Sequence, residues 1–250
     1  MNHNPHIREG TGPDAVLLIH GIAGSPKHFR ELIPVIPREF SVYNILLDGH
    51  NGTPKDFGAS SMKKWKAQFR ETLETLFSRH RKVVIVGHSM GTLFAIQAAM
   101  DHPARIPALF LLNVPTRPRV SLRALAGMIQ LAFGTPRSVT ARAMQADTDI
   151  SLSSRVWEYF GWTPRMLELL RECRRIRKQI PRLSTPTVSF LSLRDELVST
   201  RAGKDLCNPH IQNVPLTGSG HFCYSRNDTL LLQTHLRQML EDLTIGKSTL

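Results

Sequence analysis

An α/β protein with a doubly wound, mostly parallel sheet is the fold class this sequence predicts, on three observations. Five short apolar runs each end in turn residues, helix-like segments fill most of the spaces between them, and one stretch from Pro115 to about Leu183 carries helical pattern alone. Runs that are apolar throughout suit strands buried on both faces of a parallel sheet. Regular alternation of strand and helix is what parallel pairing needs, since each crossover must return the chain to the same end of the sheet.

The elements follow in chain order. "AVLLI" (15 to 19) ends at His20-Gly21 and is followed by a helix-like segment at 26 to 37. "SVYNILL" (41 to 47) precedes a longer helical pattern at 62 to 79. "KVVIV" (82 to 86) runs into good helix formers at 90 to 101, and "IPALFLLNV" (106 to 114) is the fourth run. After the interruption come "TVSFLSL" (187 to 193), a helical segment at 200 to 207, the run "IQNVPL" and a last helix at 226 to 243, with "IGKSTL" expected to fray. Within the interruption, Leu122, Leu125, Ile129 and Phe133 form one helical stripe and Leu169, Cys173, Ile176 and Ile180 another. The second helix is expected to start at Thr163-Pro164, a capping residue followed by proline at the first helical position. The whole reads as a helical cap, residues 116–183, inserted into a core formed by 1–115 and 184–250.

Composition narrows the class. A chain of 250 residues, 41% hydrophobic and 21% charged, can bury a full core without staples and lies far from the disordered extreme. The start "MNHNPHIREG" lacks a signal-peptide core, and no run of about 18 apolar residues occurs, so a cytoplasmic, non-spanning protein is expected. Cys173, Cys207 and Cys223 are odd in number and scattered, which predicts idle thiols, neither a disulfide framework nor a paired metal site. The formal charge is +12, and between Arg117 and Arg182 thirteen basic against five acidic residues supply 13 − 5 = +8 of it.

Gly87-His88-Ser89-Met90-Gly91 is a GxSxG pattern. With glycine near 7% of residues, chance alone yields one in roughly every ten or fifteen chains of this length. Its setting carries more weight, because it closes an apolar strand and opens a helix. A strand turning sharply into a helix strains the serine backbone, and small neighbours leave room for that turn. The hydroxyl is then presented at the carboxyl edge of the sheet, beside a helix N-terminus whose free N–H groups favour an anion.

His20-Gly21-Ile22-Ala23-Gly24 after the first run, Gly49-His50-Asn51-Gly52-Thr53-Pro54 after the second, Trp65 in the next helix, the serine pattern, "SLRDELV" and "GSGHF" complete a series. In this order and spacing the chain resembles the α/β-hydrolase superfamily, and within it the capped carboxylesterase and monoacylglycerol lipase group. The resemblance covers nearly the whole chain and implies a serine hydrolase. Two features depart from the family pattern: Thr92 stands where the serine turn usually has a further glycine, and His20 comes so early that the sheet is expected to hold six to seven strands.

A serine hydroxyl is a poor nucleophile without a base and a group to orient that base. Of eleven histidines, His221 lies in the small-residue loop Gly218-Ser219-Gly220-His221-Phe222 between "IQNVPL" and the last helix, where an imidazole can cross the sheet edge. His88 is held in the serine turn and is assigned a structural role; His210 and His235 have no comparable setting. The resemblance implies the chain order serine, acid, histidine. That points to Asp195, just after "TVSFLSL", with its neighbour Glu196 as rival; Asp48 and Asp205 have the wrong order or setting. The catalytic set is therefore Ser89, Asp195 and His221, and the family pattern places the oxyanion donors at the backbone N–H groups of Ile22 and Met90.

These residues imply cleavage of carboxylic esters, of short to medium acyl chains or monoacylglycerol-like lipids, through an acyl-enzyme. An acyl thioesterase or a catalytically silent hydrolase-fold binding protein is the alternative. No metal or organic cofactor is signalled, since HExxH, Walker and helix-opening GxGxxG patterns are all missing. A small-molecule ester or lipid is the expected partner. Nucleic acid is not, because the basic residues come without an aromatic platform. The Leu122 to Phe133 stripe and "VWEYFGW" (156 to 162) are expected to line an acyl pocket or to pack the cap onto the body. The basic helix "RMLELLRECRRIRKQIPRL" is expected to present a solvated face, with weak contact to an anionic membrane surface as its sharper reading.

Overall fold

The computed structural model describes residues 6–245. Seven strands, β1 (His6–Arg8), β2 (Ala15–Ile19), β3 (Ser41–Ile45), β4 (Val83–His88), β5 (Leu109–Leu112), β6 (Thr187–Ser192) and β7 (Ile211–Leu216), form one sheet in the order β1-β3-β2-β4-β5-β6-β7. All neighbours pair in parallel except β1, which lies antiparallel on β3. Among the described residues the expected six to seven strands number seven.

Alternation along each strand divides the core between two faces. Leu17 and Ile19 of β2 join Val83 and Ile85 of β4 in one layer, covered by α2 (Met62–Arg79), α3 (Met90–Asp101) and α6 (Trp162–Gln179). Val16 and Leu18 join Val84, Val86, Phe110 and Phe190 in the other, covered by the turn residues Phe29 and Leu32 and by Leu232, Leu236 and Leu240 of α7 (Arg226–Ile245). Each such side chain taken from water contributes about 1.5–3 kcal/mol. The uniform "AVLLI" run is thus two interleaved sets of core residues.

α2 is capped by the Ser61 hydroxyl and buries Trp65, Phe69, Leu73 and Leu76, a row at helical spacing. α3 is buried on nearly all sides because it crosses the centre of the sheet. There, a side chain on Gly91 would place its Cβ 2.2 Å from the carbonyl oxygen of Ile19, so only glycine lets the helix sit this close to β2.

Several expected elements differ. Residues 26 to 37 form two 3-10 turns, Pro26–Phe29 and Ile33–Val35, instead of one helix. Pro34 and Pro37 lack the N–H that a continuous helix would use, and their rings clash with the preceding turn. The run 106 to 114 yields only Leu109–Leu112, because Pro107 cannot donate at its start and Asn113 turns the chain with φ +53°. The segment 200 to 207 is a 3-10 helix, Thr200–Leu206, and the short polar β1 had no apolar signal. β7 is an edge strand, the place where a sheet tolerates Pro215. Of the expected frayed tail only Ile245 is described, where it ends α7.

The interruption holds α4 (Leu122–Ala132), α5 (Val139–Asp147), a 3-10 turn at Val156–Tyr159, and α6. α6 starts at Trp162, before the expected Thr163-Pro164 boundary. It is the crossover from β5 to β6 and buries Leu169, Cys173 and Ile176 in the core layer. Three of its five arginines are paired, Arg165 with Glu168, Arg175 with Glu172 and Arg177 with Asp205, while Arg171, Arg174 and Lys178 present the expected solvated face. The Leu122 stripe does the opposite of what was expected. Leu122, Leu125, Ile129 and Phe133 face outward, while the small residues Ala124 and Gly127 take the inner side of α4 against Ala141 and Met144 of α5. Small side chains allow close helix approach, so the large ones are left without a layer to cover them. Val156, Trp157 and Phe160 are exposed as well. Among the described residues no helix is long and apolar enough to cross a membrane.

Candidate active site

β4 ends at His88, and Ser89 occupies the turn into α3 with φ +49° and ψ −118°, a strained conformation for a residue with a side chain. The turn is held by its surroundings. Ser89 N–H donates to the Leu112 carbonyl at 2.9 Å, and the Thr92 hydroxyl donates to the Ser89 carbonyl at 2.6 Å. Thr92, the departure from the family pattern, thus fastens the turn.

The turn after β2 folds over the serine. A Cβ on Gly21 would lie 2.9 Å from the Ser89 Cβ, Ala23 has φ +54°, and Gly24 N–H closes the turn on the Gly21 carbonyl at 3.2 Å. His20 anchors it: Leu47 N–H donates to Nε2 at 3.1 Å, which leaves Nδ1–H to donate to the Gly21 carbonyl at 2.8 Å. Burial pushes the pKa of His20 down to about 4, so it is a neutral strut. The backbone N–H groups of Ile22 and Met90 have no backbone acceptor among the described residues. The Met90 group belongs to the first turn of α3, where N–H groups lack helical partners and aim at incoming negative charge.

Asp195, in the turn after β6, and His221, in the loop after β7, meet at the same end of the sheet. His221 Nδ1 lies 2.7 Å from Asp195 Oδ2, both side chains buried. A carboxylate accepts only, so Nδ1 carries the proton and Nε2 is left as the basic nitrogen. Asp195 is fixed in turn by Leu197 N–H and Val198 N–H, which donate to Oδ1 at 2.7 and 2.6 Å. Burial disfavours the charge on His221, but the charge of Asp195 and its hydrogen bond outweigh that, and the pKa is raised above the ordinary value. The Ser89 hydroxyl is not hydrogen bonded to the imidazole here; such bonds tighten when substrate arrives.

Glu196, the rival acid, is placed elsewhere. Its Oε2 accepts from the backbone N–H of His221 at 2.8 Å, so it holds the loop and leaves the ring to Asp195. His88 keeps a structural role: its Nε2–H donates to the His221 carbonyl at 3.1 Å, and burial, then the nearby His28 and His221, push its pKa well below the usual range. Asp48 pairs with Lys64 and Asp205 with Arg117 and Arg177, while the His235 ring packs on Phe190. Cys173 is buried, its thiol pushed up to about 12 by burial, whereas Cys207 and Cys223 are exposed, so not all three thiols are hidden.

A second Asp–His pair escaped the sequence reading. Asp147, the last residue of α5, lies 2.6 Å from Nδ1 of buried His28, and His28 Nε2 lies 3.0 Å from the Tyr224 hydroxyl. The His28 ring stacks on His88 at 3.6 Å. Lys27 pairs with Asp149 beside it, so α5 is tied to the turn after β2 twice. The available signal was the absence of acidic residues from 117 to 146, which makes Asp147 the first carboxylate after that stretch. An open cavity of about 410 Å³ lies next to the pair, lined by His28, Asp147, Phe222 and Tyr224; Ser89 does not line it. His28, His88 and Asp147 are close enough for one cation to reach all three. A metal binds in the plane of an imidazole, however, and the two rings are stacked at 18°, so a shared ion requires one ring to turn.

The α/β hydrolase fold family model matches residues 14–135. The thermostable monoacylglycerol lipase of Bacillus sp. (strain H-257) is 24% identical over 188 residues, 75% of this chain and 72% of the lipase. The fluoroacetate dehalogenase of Burkholderia sp. is 31% identical over 111 residues, 42% of this chain and 35% of the dehalogenase. Among solved structures, one described for LipS and LipT, two metagenome-derived lipolytic enzymes, superimposes with a TM-score of 0.69 at 20% identity, covering 92% of this chain and 95% of that one.

Proposed function

We propose that this chain, whose residues 14–135 match the α/β hydrolase fold family model, is a serine hydrolase that cleaves carboxylic esters, of short to medium acyl chains or monoacylglycerol-like lipids. The observation that carries this reading is the Asp195–His221 hydrogen bond of 2.7 Å at the sheet edge where strained Ser89 opens α3.

In this reading His221 Nε2 takes the proton of Ser89 as the hydroxyl attacks the ester carbonyl. Asp195 keeps the proton on Nδ1 and stabilises the imidazolium that forms. The tetrahedral oxyanion is met by the N–H groups of Ile22 and Met90, each donor of this kind being worth roughly 3–4 kcal/mol. Collapse returns the proton to the leaving alcohol and leaves an acyl-enzyme. Water, deprotonated by the same histidine, then releases the acid. Within residues 116–183 the part outside α6 acts as the cap, and its side chains turned toward the core, not the outward face of α4, select the acyl group. Weak contact of this basic segment with an anionic membrane surface belongs to the same reading. The exposed free thiols of Cys207 and Cys223 favour a reducing, cytoplasmic setting.

The test is hydrolysis of nitrophenyl esters of increasing acyl length by the wild type and by Ser89→Ala, with fluorophosphonate labelling alongside. A single preferred length, with turnover and label both lost in the variant, is the expected result. Turnover confined to acyl thioesters moves the reading to a thioesterase, and an unlabelled, inert but folded wild type moves it to a binding role.

A further inference from the structure

The outward stripe of α4 has no role in the ester chemistry. Leu122, Leu125, Ile129 and Phe133 are 85%, 48%, 51% and 67% exposed, and Val120 and Val139 beside the helix ends are exposed too. Successive members are three or four residues apart, so they share one face. Soluble monomers rarely leave so continuous an apolar face in water without a partner for it.

The charge around the stripe identifies the partner. Between 117 and 146 there are five arginines and no aspartate or glutamate. Arg117 is held by Asp205 and Arg119 donates to the Asp195 carbonyl at 2.8 Å, while Arg123, Arg137 and Arg142 are exposed. An apolar helical face bordered by exposed arginines and free of acids suits the boundary between acyl chains and anionic headgroups. A second copy of the chain fits poorly. A twofold interface on α4 would bring two sets of these arginines together with no acidic residue in the segment to neutralise them.

We infer that α4 is a docking surface for an anionic phospholipid bilayer, inserting Leu122, Leu125, Ile129 and Phe133 below the headgroups while Arg123, Arg137 and Arg142 bind the phosphates. This rests on the ester-hydrolase reading only for what is cleaved at the surface; the docking stands on exposure and charge.

Sedimentation with phosphatidylcholine vesicles, with and without phosphatidylglycerol, tests it in the full chain. The wild type is expected to bind the anionic vesicles about tenfold more tightly or better, and less tightly as salt rises. Leu122→Glu with Ile129→Glu, and separately Arg123→Glu with Arg137→Glu, are each expected to lower that binding at least tenfold. Both variants alter exposed positions and are expected to hydrolyse a soluble nitrophenyl ester at the wild-type rate. Equal binding to both vesicle types, or binding unchanged in both variants, overturns the docking. So does a dimer in sedimentation equilibrium that Leu122→Glu with Ile129→Glu dissociates while vesicles go unbound. Vesicle binding without ester turnover leaves the docking in place and removes the ester reading, and turnover without vesicle binding does the reverse.

Discussion

Two buried Asp–His pairs lie within the same end of this molecule and differ in what they join. Asp195 and His221 come from turns after adjacent strands β6 and β7, so the sheet itself sets their separation. Asp147 and His28 come from α5 and from the turn after β2, so their contact exists only while the segment between β5 and β6 sits on the sheet. The hydrogen-bond lengths, 2.7 and 2.6 Å, are nearly equal. Similar local chemistry thus occurs in two settings: one pair joins two loops at the sheet edge, the other ties α5 to the turn after β2.

Substitution is expected to separate the pairs. Asp195→Asn keeps the shape of the side chain but favours the wrong imidazole tautomer, and kcat on a soluble ester is expected to fall by on the order of 10⁴-fold. A fall of less than tenfold would take Asp195 out of the orienting role. Asp147→Asn is expected to affect stability first. Weakening this buried hydrogen bond costs about 2 kcal/mol, which lowers Tm by roughly 6 °C, while kcat on the same soluble ester changes less than tenfold. Equal losses of activity in the two variants would erase the distinction.

The pH profile sharpens it further. In the proposed mechanism His221 must be neutral to act, and its pKa is raised, so the acid limb of kcat/KM is expected to inflect above about pH 6.5. Stability has the opposite sign for this group. A raised imidazole contributes fully below the unfolded pKa, and its contribution is lost as pH rises through the folded one. His20, lowered to about 4, acts the other way: the unfolded chain binds its proton more readily, so folding stability is lost as pH falls from about 6.5 to 4. Urea titrations across that range check the second, and pH-rate profiles the first. The smallest effect is expected at Glu196→Gln, which keeps an acceptor for the His221 backbone and should change kcat by less than about threefold; a loss near that of Asp195→Asn would make Glu196 the orienting acid.

Legibility followed locality. Ser89 was readable because its strand, turn and helix are contiguous, and so was the parallel sheet, since each of its central strands is a short apolar run. Chain order and its place just after the strand favour Asp195 over Glu196, and Asp195 is the carboxylate that meets the His221 ring, but no local pattern forces that choice. Adjacent residues of a turn point to different sides, and only the packing of the β7 loop decides which carboxylate meets the ring and which meets the backbone. The His28–Asp147 contact joins residues 119 apart, beyond any local pattern. Helix 26 to 37 failed for a local reason that was in view, the prolines at 34 and 37.

The α4 stripe marks the limit most clearly. The sequence by itself determined that Leu122, Leu125, Ile129 and Phe133 share a helical face, because periodicity is a property of the backbone. It also determined the apolar strands, the strained serine turn and the concentration of arginine in the inserted segment. Which way that face points was decided by tertiary structure alone. Ala124 and Gly127 permit a closer approach to α5 than leucines would, and helix packing, a relation between distant segments, turned the apolar side outward.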